Sequence, residues 1–412
     1  MKSAPTPAPL LPVTLLSGFV GAGKTSLLKR LLSEASGLRI AVIVNDNIVA
    51  GPLELAPAPL LKPLPYAAET GTENWITMQR GCICCSLRAD LLSAVRQLAT
   101  SARYDYLLIE SAAVTSPVSV AETFAFEDDA GESLAQVARL DTLITVVDAE
   151  SFLDDWQSED ELAARQLGPS EDDERPVSDL LAEQIEFANV LVLSKLDRVS
   201  EQDGARLEAL LRQLNPGARL LRATPDPLPL DALLNTGRFD FEHTEQAAGW
   251  LAALRGEPAR ADDAQGFHSF VYRARVPFHP ERLWDLLSDA ATWEAVLRSK
   301  GLFWLATRNE TSGLWSHAGG AVSFDSAGPW YVSLPEGEWP EAPEERQRIR
   351  SEFREPWGDR RQELVFVGID LDEARLRAQL DSALLDAREL ATGEAAWKAL
   401  ADPFPAWGGH EA

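Results

Sequence analysis

Eight residues near the start of the chain, Gly18-Phe19-Val20-Gly21-Ala22-Gly23-Lys24-Thr25, admit few folds. An apolar run, Pro12–Ser17, leads into them, and a helical pattern, Lys24–Leu32, leads out. Glycines at these positions let the backbone wrap until successive N–H groups face one point, which suits phosphate oxygens. Lys24 is then expected to reach the β and γ phosphates, and the Thr25 hydroxyl to ligate Mg²⁺. The helix that starts here adds the positive end of its dipole. A glycine-rich turn can arise by chance, but a strand before it and a helix after it argue for a phosphate-binding loop.

The downstream pattern agrees. Arg39–Val44 is a continuous apolar run, as expected of a strand buried on both faces of a parallel sheet, and Tyr104–Ile109, Thr142–Val147 and Val190–Leu193 read as further buried strands. They end in Asn45-Asp46, Glu110, Asp148 and Ser194-Lys195. Charged residues at strand ends point to a ligand crevice along the carboxyl edge of the sheet. Residues 46–80 read as a long, Pro-interrupted connection, and Ser86 as the N-cap of a helix over Leu87–Leu98.

The spacing therefore predicts a Pro-rich, disordered lead-in over 1–11 and a phosphate-loop α/β domain with a mostly parallel sheet over 12–235. A linker over 236–265 and a smaller α+β domain over 266–412 follow. In the last of these, Ser269–Ala274, Leu302–Ala306, Trp315–Phe324, Trp330–Leu334 and Glu363–Ile369 read as strands. Pro280–Leu287 and Leu371–Leu385 read as helices. Nine of the twelve tryptophans stand at position 284 or beyond, a density expected of core or partner surface rather than chemistry.

With 38 Lys and Arg against 64 Asp and Glu, the net charge is −26. That balance opposes phosphate backbones and anionic membranes, so neither nucleic acid nor membrane is expected as a partner. The apolar run before the loop could be mistaken for an export signal, but it reads better as the loop's strand.

All three cysteines fall in Cys82-Ile83-Cys84-Cys85. So tight a spacing is a poor disulfide framework and implies a reducing, cytoplasmic setting. On a helix Cys84 would leave the face shared by Cys82 and Cys85, so the three converge only if Gly81–Cys85 is a loop. Three thiolates leave a tetrahedral ion one open position, which transfer to another protein requires. Zinc, Cu(I) and, less well, cobalt suit such a set. A redox thiol pair and buried small apolar side chains are the alternatives.

Ser194-Lys195-Leu196-Asp197 ends a strand where a guanine-reading motif would stand. A carboxylate at Asp197 can accept from both N1–H and the exocyclic amine of guanine, a pair that adenine lacks. Lys195 would pack its stem along the base. Glu110 could hold Mg²⁺ through water or orient the attacking water, Asp148 could do similar work, and Asp46 is a candidate switch residue.

These residues together resemble the CobW-type metallochaperone GTPases, relatives of the urease and hydrogenase nickel-insertion GTPases. In the first domain the resemblance rests on Gly18–Ser26, Val44-Asn45-Asp46, Gly81–Cys85, Tyr106–Glu110 with Pro117, Val146–Ala149 and Leu193–Asp197. In the second it rests on Phe278–Trp284, Gly301–Arg308 and Trp357–Leu364, and looks like the zinc-responsive branch. It implies a P-loop GTPase with a CobW-like C-terminal domain. GTP and Mg²⁺ would be held by Gly18, Gly21, Ala22, Gly23, Lys24, Thr25, Ser26, Ser194, Lys195 and Asp197. Lys24 and Glu110 would serve hydrolysis, Thr25 and Glu110 magnesium, and Cys82, Cys84 and Cys85 a zinc, cobalt or iron ion. The implied partner is a client metalloprotein, and a homodimer is among the assemblies allowed.

Three departures from the family pattern stand out. Ala113 replaces a glycine after Glu110, the stretch after Asp46 is shortened, and Ser194 replaces asparagine. They motivate a second reading, a nucleotide-gated metal-binding protein without hydrolysis. A dedicated activator of one metalloenzyme, such as a nitrile hydratase, is a third. A P-loop kinase with a redox cysteine cluster is the least compatible with Asp197.

Overall fold

A computed structural model describes residues 10–35, 37–46, 75–79, 88–125, 133–167, 173–226, 228–241, 244, 248–254 and 267–407. The chain divides into two compact units, Met1–Gly249 and Trp250–Ala412.

The first unit is built on a seven-stranded sheet. Its strands are β1 (Leu11–Ser17), β2 (Ile40–Asp46), β3 (Trp75–Gln79), β4 (Tyr106–Glu110), β5 (Ala138–Asp148), β6 (Val190–Ser194) and β7 (Arg219–Arg222). They lie in the order β3-β2-β4-β1-β5-β6-β7, every pair parallel. The expected α/β class is therefore met. Parallel strands need crossover segments, and helices Lys24–Glu34, Arg88–Thr100, Val177–Glu186 and Glu201–Leu214 serve. Leu28 and Leu31 of the first helix are buried against Leu16, Val42, Leu108, Ile144 and Val146, each contributing roughly 2 kcal/mol.

Two strands were hidden in the sequence. β3 falls within the segment read as connection, and β7 went unseen. Both are short edge strands, and β7 is only half-buried, so neither carries a continuous apolar run. The segment read as a linker from 236 instead docks on the first unit. Its anchor is Asp141, fully buried, which must be paired to be tolerated. The Asp141 carboxylate accepts from the Thr236 and Gly237 amides at 2.8 and 3.3 Å and from the Tyr106 hydroxyl at 3.1 Å. Phe239 and Phe241 then pack edge-on against buried Phe187. A short helix, Gly249–Leu254, also lies within the stretch read as linker.

The second unit holds a five-stranded antiparallel sheet, β11-β10-β9-β12-β8. The strands are β8 (Phe267–Ala274), β9 (Val296–Phe303), β10 (Thr311–Ala318), β11 (Ala321–Pro329) and β12 (Gln362–Ile369). Phe270, Tyr272, Phe303, Trp315 and Phe366 form a core with Leu283 of helix Pro280–Leu287 and Leu376 and Leu380 of helix Glu373–Ala383. Three expectations need correction. The strand read at Leu302–Ala306 is β9, which ends at Phe303. Its polar Arg298, Ser299 and Lys300 masked it, while Trp304 and Leu305 are buried beyond its end. Trp315–Phe324 is a hairpin of two strands turning at Gly319, whose φ of 53° is left-handed. Trp330–Leu334 is no strand. Its Tyr331–Ser333 turn is 3₁₀ and is held by the Asp359 carboxylate, which accepts from the Tyr331 and Val332 amides at 2.9 Å each. Trp304, Trp315, Trp330, Trp339 and Trp397 are buried, the core role expected of them.

Candidate nucleotide and metal site

The loop after β1 takes its shape from glycine. Gly18, Gly21 and Gly23 have φ of 137°, 74° and 98°. A Cβ on Gly18 would also collide with the Val146 carbonyl oxygen on neighbouring β5. Helix Lys24–Glu34 starts immediately after Gly23 with no side-chain cap, so its first-turn amides are left for an anion. The Lys24 ammonium folds back over this loop, donating to the Gly18 and Phe19 carbonyls at 2.6 and 3.0 Å. A positive charge thus stands at the mouth of an amide-lined turn.

β4 runs beside β1 and brings Glu110 level with Leu16. The Thr25 hydroxyl donates to Glu110 Oε1 at 2.7 Å, and Glu110 is buried. Two oxygen donors from separate elements converge next to the loop. That donor set fits a hard cation such as Mg²⁺, so Thr25 and Glu110 are the residues that would hold it.

Across the sheet, the end of β6 approaches the same loop. The Ser194 hydroxyl donates to the Ala22 carbonyl at 2.7 Å and lies 3.1 Å from the Val147 carbonyl. Ser194, expected among the base-reading residues, therefore reaches the loop itself despite being shorter than asparagine. Lys195 has a left-handed φ of 55°, and its ammonium pairs with Asp148 at 2.5 Å. Asp148 also accepts from the Glu150 amide at 3.0 Å. Considered as a second Mg²⁺ or switch residue, Asp148 is engaged elsewhere, with Lys195, on the opposite side of β1 from Glu110. Asp197 is exposed in the one-turn helix Leu196–Arg198.

The loop after Glu110 is tightly held. Ser111 donates its amide to the Leu16 carbonyl at 3.0 Å. Gln184 donates its side-chain amide to the Ala113 carbonyl at 2.8 Å, and Arg175 approaches the Val114 carbonyl at 3.3 Å. Burial pushes the Asp173 carboxyl up, but its hydrogen bonds to Arg175 prevail and hold it below the usual range. Ala113 does not occupy the left-handed region, so its backbone does not demand the glycine seen in the family pattern. Sequence reasoning missed Gln184. The available signal was a polar residue on the otherwise apolar face Val177, Leu181, Ile185.

Cys82, Cys84 and Cys85, the Ser86 cap, the side chain of Asp46 and the shortened stretch after it lie outside the described residues, as do residues 1–9. Among the described residues no group of three His, Cys, Asp or Glu is placed to hold a metal ion. The flanks of the cysteine window are described. β3 ends at Gln79, paired with Asp46, and the next helix begins at Arg88. In a parallel sheet β3 ends on the same edge as β1. Three strand spacings separate them, about 14 Å. No helix among the described residues is long and apolar enough to cross a membrane.

Residues 12–222 match the family described as CobW/HypB/UreG, nucleotide-binding domain, and residues 267–384 match the cobalamin synthesis protein cobW C-terminal domain. A "Zinc-regulated GTPase metalloprotein activator 1" of Dictyostelium discoideum is 41% identical over 401 residues, 96% of this chain and 84% of that protein. The "Zinc chaperone CobW" of Pseudomonas aeruginosa is 30% identical, covering 54% of this chain and 59% of its own. Among solved structures, Zn(II)-bound YjiA GTPase from E. coli is 22% identical with a TM-score of 0.38, covering 92% of this chain and 100% of its own. By both of its matched domains and by a relative that spans nearly its whole length, the chain belongs to the CobW family.

Proposed function

We propose that this protein is a GTP-hydrolysing metallochaperone that takes up zinc through Cys82, Cys84 and Cys85 and passes it to a client metalloprotein. Cobalt or iron are the other cargoes that the family resemblance implies. The reading is supported above all by one convergence. The phosphate loop, the Thr25–Glu110 pair and the end of β3, from which the cysteine window follows, share one sheet edge. The Dictyostelium relative's name joins the same two elements, zinc and GTPase, for that protein.

In hydrolysis a water oxygen bonds to the γ-phosphorus, the bond to the β–γ bridging oxygen breaks, and GDP and phosphate leave. The loop amides and Lys24 neutralise the charge that gathers on the phosphate oxygens. Mg²⁺, when bound, adds to that neutralisation. Glu110 serves the cation or the attacking water, and Asp197 selects guanine. Ligands in the segment that follows β3 are proposed to respond to the occupant of the loop, since β3 and the strand that leads into the loop end on the carboxyl edge of one sheet. Thiols kept as cargo ligands need a reducing compartment, so this reading expects the protein in the cytoplasm.

The hydrolytic reading is preferred over nucleotide-gated binding without turnover because two of the three departures are accommodated. Ala113 has an ordinary backbone, and Ser194 still bonds to the loop. Phosphate release from GTP and ATP, measured side by side with Mg²⁺ and zinc, tests this. GTP is expected to be favoured at least about 50-fold in kcat/KM, since losing the paired contact to Asp197 costs several hydrogen-bond equivalents. Equal use of ATP, or no release from either, contradicts the proposal.

A further inference from the structure

The helix Val177–Glu186 buries Val177, Leu180, Leu181 and Ile185, and among them Gln184, only 1% exposed. A primary amide on such a face has no packing advantage over leucine or methionine, and it is tolerated only if its polar atoms are bonded. Its Nε2 donates to the Ala113 carbonyl at 2.8 Å. The main-chain carbonyl of the same residue accepts from the Thr145 hydroxyl, on β5, at 2.6 Å. Gln184 therefore joins three elements. They are the loop three residues beyond Glu110, the central strand β5, and the helix that leads into β6, which ends at Ser194. The rest of that loop is held by Ser111 on the Leu16 carbonyl and by Arg175 near the Val114 carbonyl. Gln184 is buried and uncharged, unlike Arg175, so salt does not screen it, and it is the member that ties the loop to the helix leading into β6.

We propose that Gln184 is a positioning residue for hydrolysis: it fixes the loop after Glu110 against the helix that carries the base-reading strand, so that Glu110 and the loop amides keep their register with the phosphate loop. This rests on the hydrolytic reading above. Gln184 touches neither nucleotide nor cation; it acts through the Ala113 peptide. The link also joins the two ends of the site mechanically, because the helix it sits on continues into β6 and Ser194 bonds to Ala22. A loop displaced by one occupant of the phosphate site is thereby opposed by the base end.

Gln184→Met keeps the length and apolar body of the side chain and removes the donor. Steady-state GTP hydrolysis by the full-length variant is expected to lose about tenfold in kcat, with KM for GTP within twofold and a thermal midpoint lowered by only a few degrees. The ratio of affinities for GDP and a non-hydrolysable GTP analogue should move at least threefold towards one, because the loop no longer resists displacement equally. In Gln184→Glu the carboxyl is buried, stays protonated and can donate to the same carbonyl, so kcat should recover to within threefold of wild type. Should Gln184→Met fail to fold, the Glu variant carries the test. A folded Gln184→Met with wild-type kcat and affinity ratio overturns the proposal, as does a folded Gln184→Glu as slow as the Met variant. A fall in GDP affinity parallel to kcat also overturns it, since that marks general damage. A wild-type chain that releases no phosphate overturns the hydrolytic reading instead, while the affinity ratio still reports on the link.

Discussion

Replacing Lys24 with alanine is expected to weaken binding of GDP and GTP at least about 100-fold. Two effects act together. The ammonium supplies charge-assisted hydrogen bonds to phosphate oxygens, roughly 1.5–3 kcal/mol each. In the structure it also braces the loop from within, through the Gly18 and Phe19 carbonyls. Losing it removes both the attraction and the preformed shape. The fold should survive, because Leu27, Leu28 and Leu31, rather than Lys24, fasten the helix to the sheet. Calorimetric titration of GDP in the presence of Mg²⁺, alongside a thermal melt, checks this. Affinity within threefold of wild type in a folded variant would mean that the loop does not bind phosphate as described.

Glu110→Gln should separate chemistry from binding. The amide keeps the shape of the side chain, and its oxygen can still accept from Thr25. What is lost is the negative charge, and with it the hold on a divalent cation or on the attacking water. Hydrolysis is expected to fall by about 10²–10³, the range seen when one preorganised electrostatic group is removed from a transition state. GDP affinity without Mg²⁺ should change less than threefold, whereas the gain in GTP affinity on adding Mg²⁺ should largely vanish. Phosphate release and nucleotide titrations at stepped Mg²⁺ concentrations provide both readouts. An unchanged rate would remove Glu110 from the machinery.

What the sequence discloses about this molecule follows burial. β1, β2, β4, β5 and β6 announce themselves because central strands of a parallel sheet are apolar on both faces, as in Leu107-Leu108-Ile109. The loop is legible for a different reason: φ values of 137°, 74° and 98° at 18, 21 and 23 favour glycine, and at Gly18 a Cβ would also strike the Val146 carbonyl. Edge strands β3 and β7 lack that signal, since one side meets solvent or loop. β9 conceals itself behind Arg298, Ser299 and Lys300, whose burial depends on strands distant in sequence. Polar links resist reading even more. Asp141 looks like any acid until the Thr236 and Gly237 amides arrive from 95 and 96 residues away. Gln184 meets its partner across 71 residues. Lys24, Thr25, Glu110 and Ser194 are brought together around the phosphate loop. Asp148 does not join the Thr25–Glu110 pair, because the Lys195 charge beside it claims its carboxylate.

The proposed function requires communication between the phosphate loop and the thiols that follow β3 in sequence. The direct measurement is the zinc affinity of the wild-type protein, by competition with a chromogenic chelator, first with Mg·GDP and then with Mg²⁺ and a non-hydrolysable GTP analogue. Cys84→Ser is measured in parallel. A coupling of about 1.4 kcal/mol would make zinc binding tenfold tighter in the triphosphate state, and the serine variant should lose both the tight binding and the difference. Equal zinc affinity in the two nucleotide states, or a nucleotide effect that persists without the Cys84 sulfur, would contradict it.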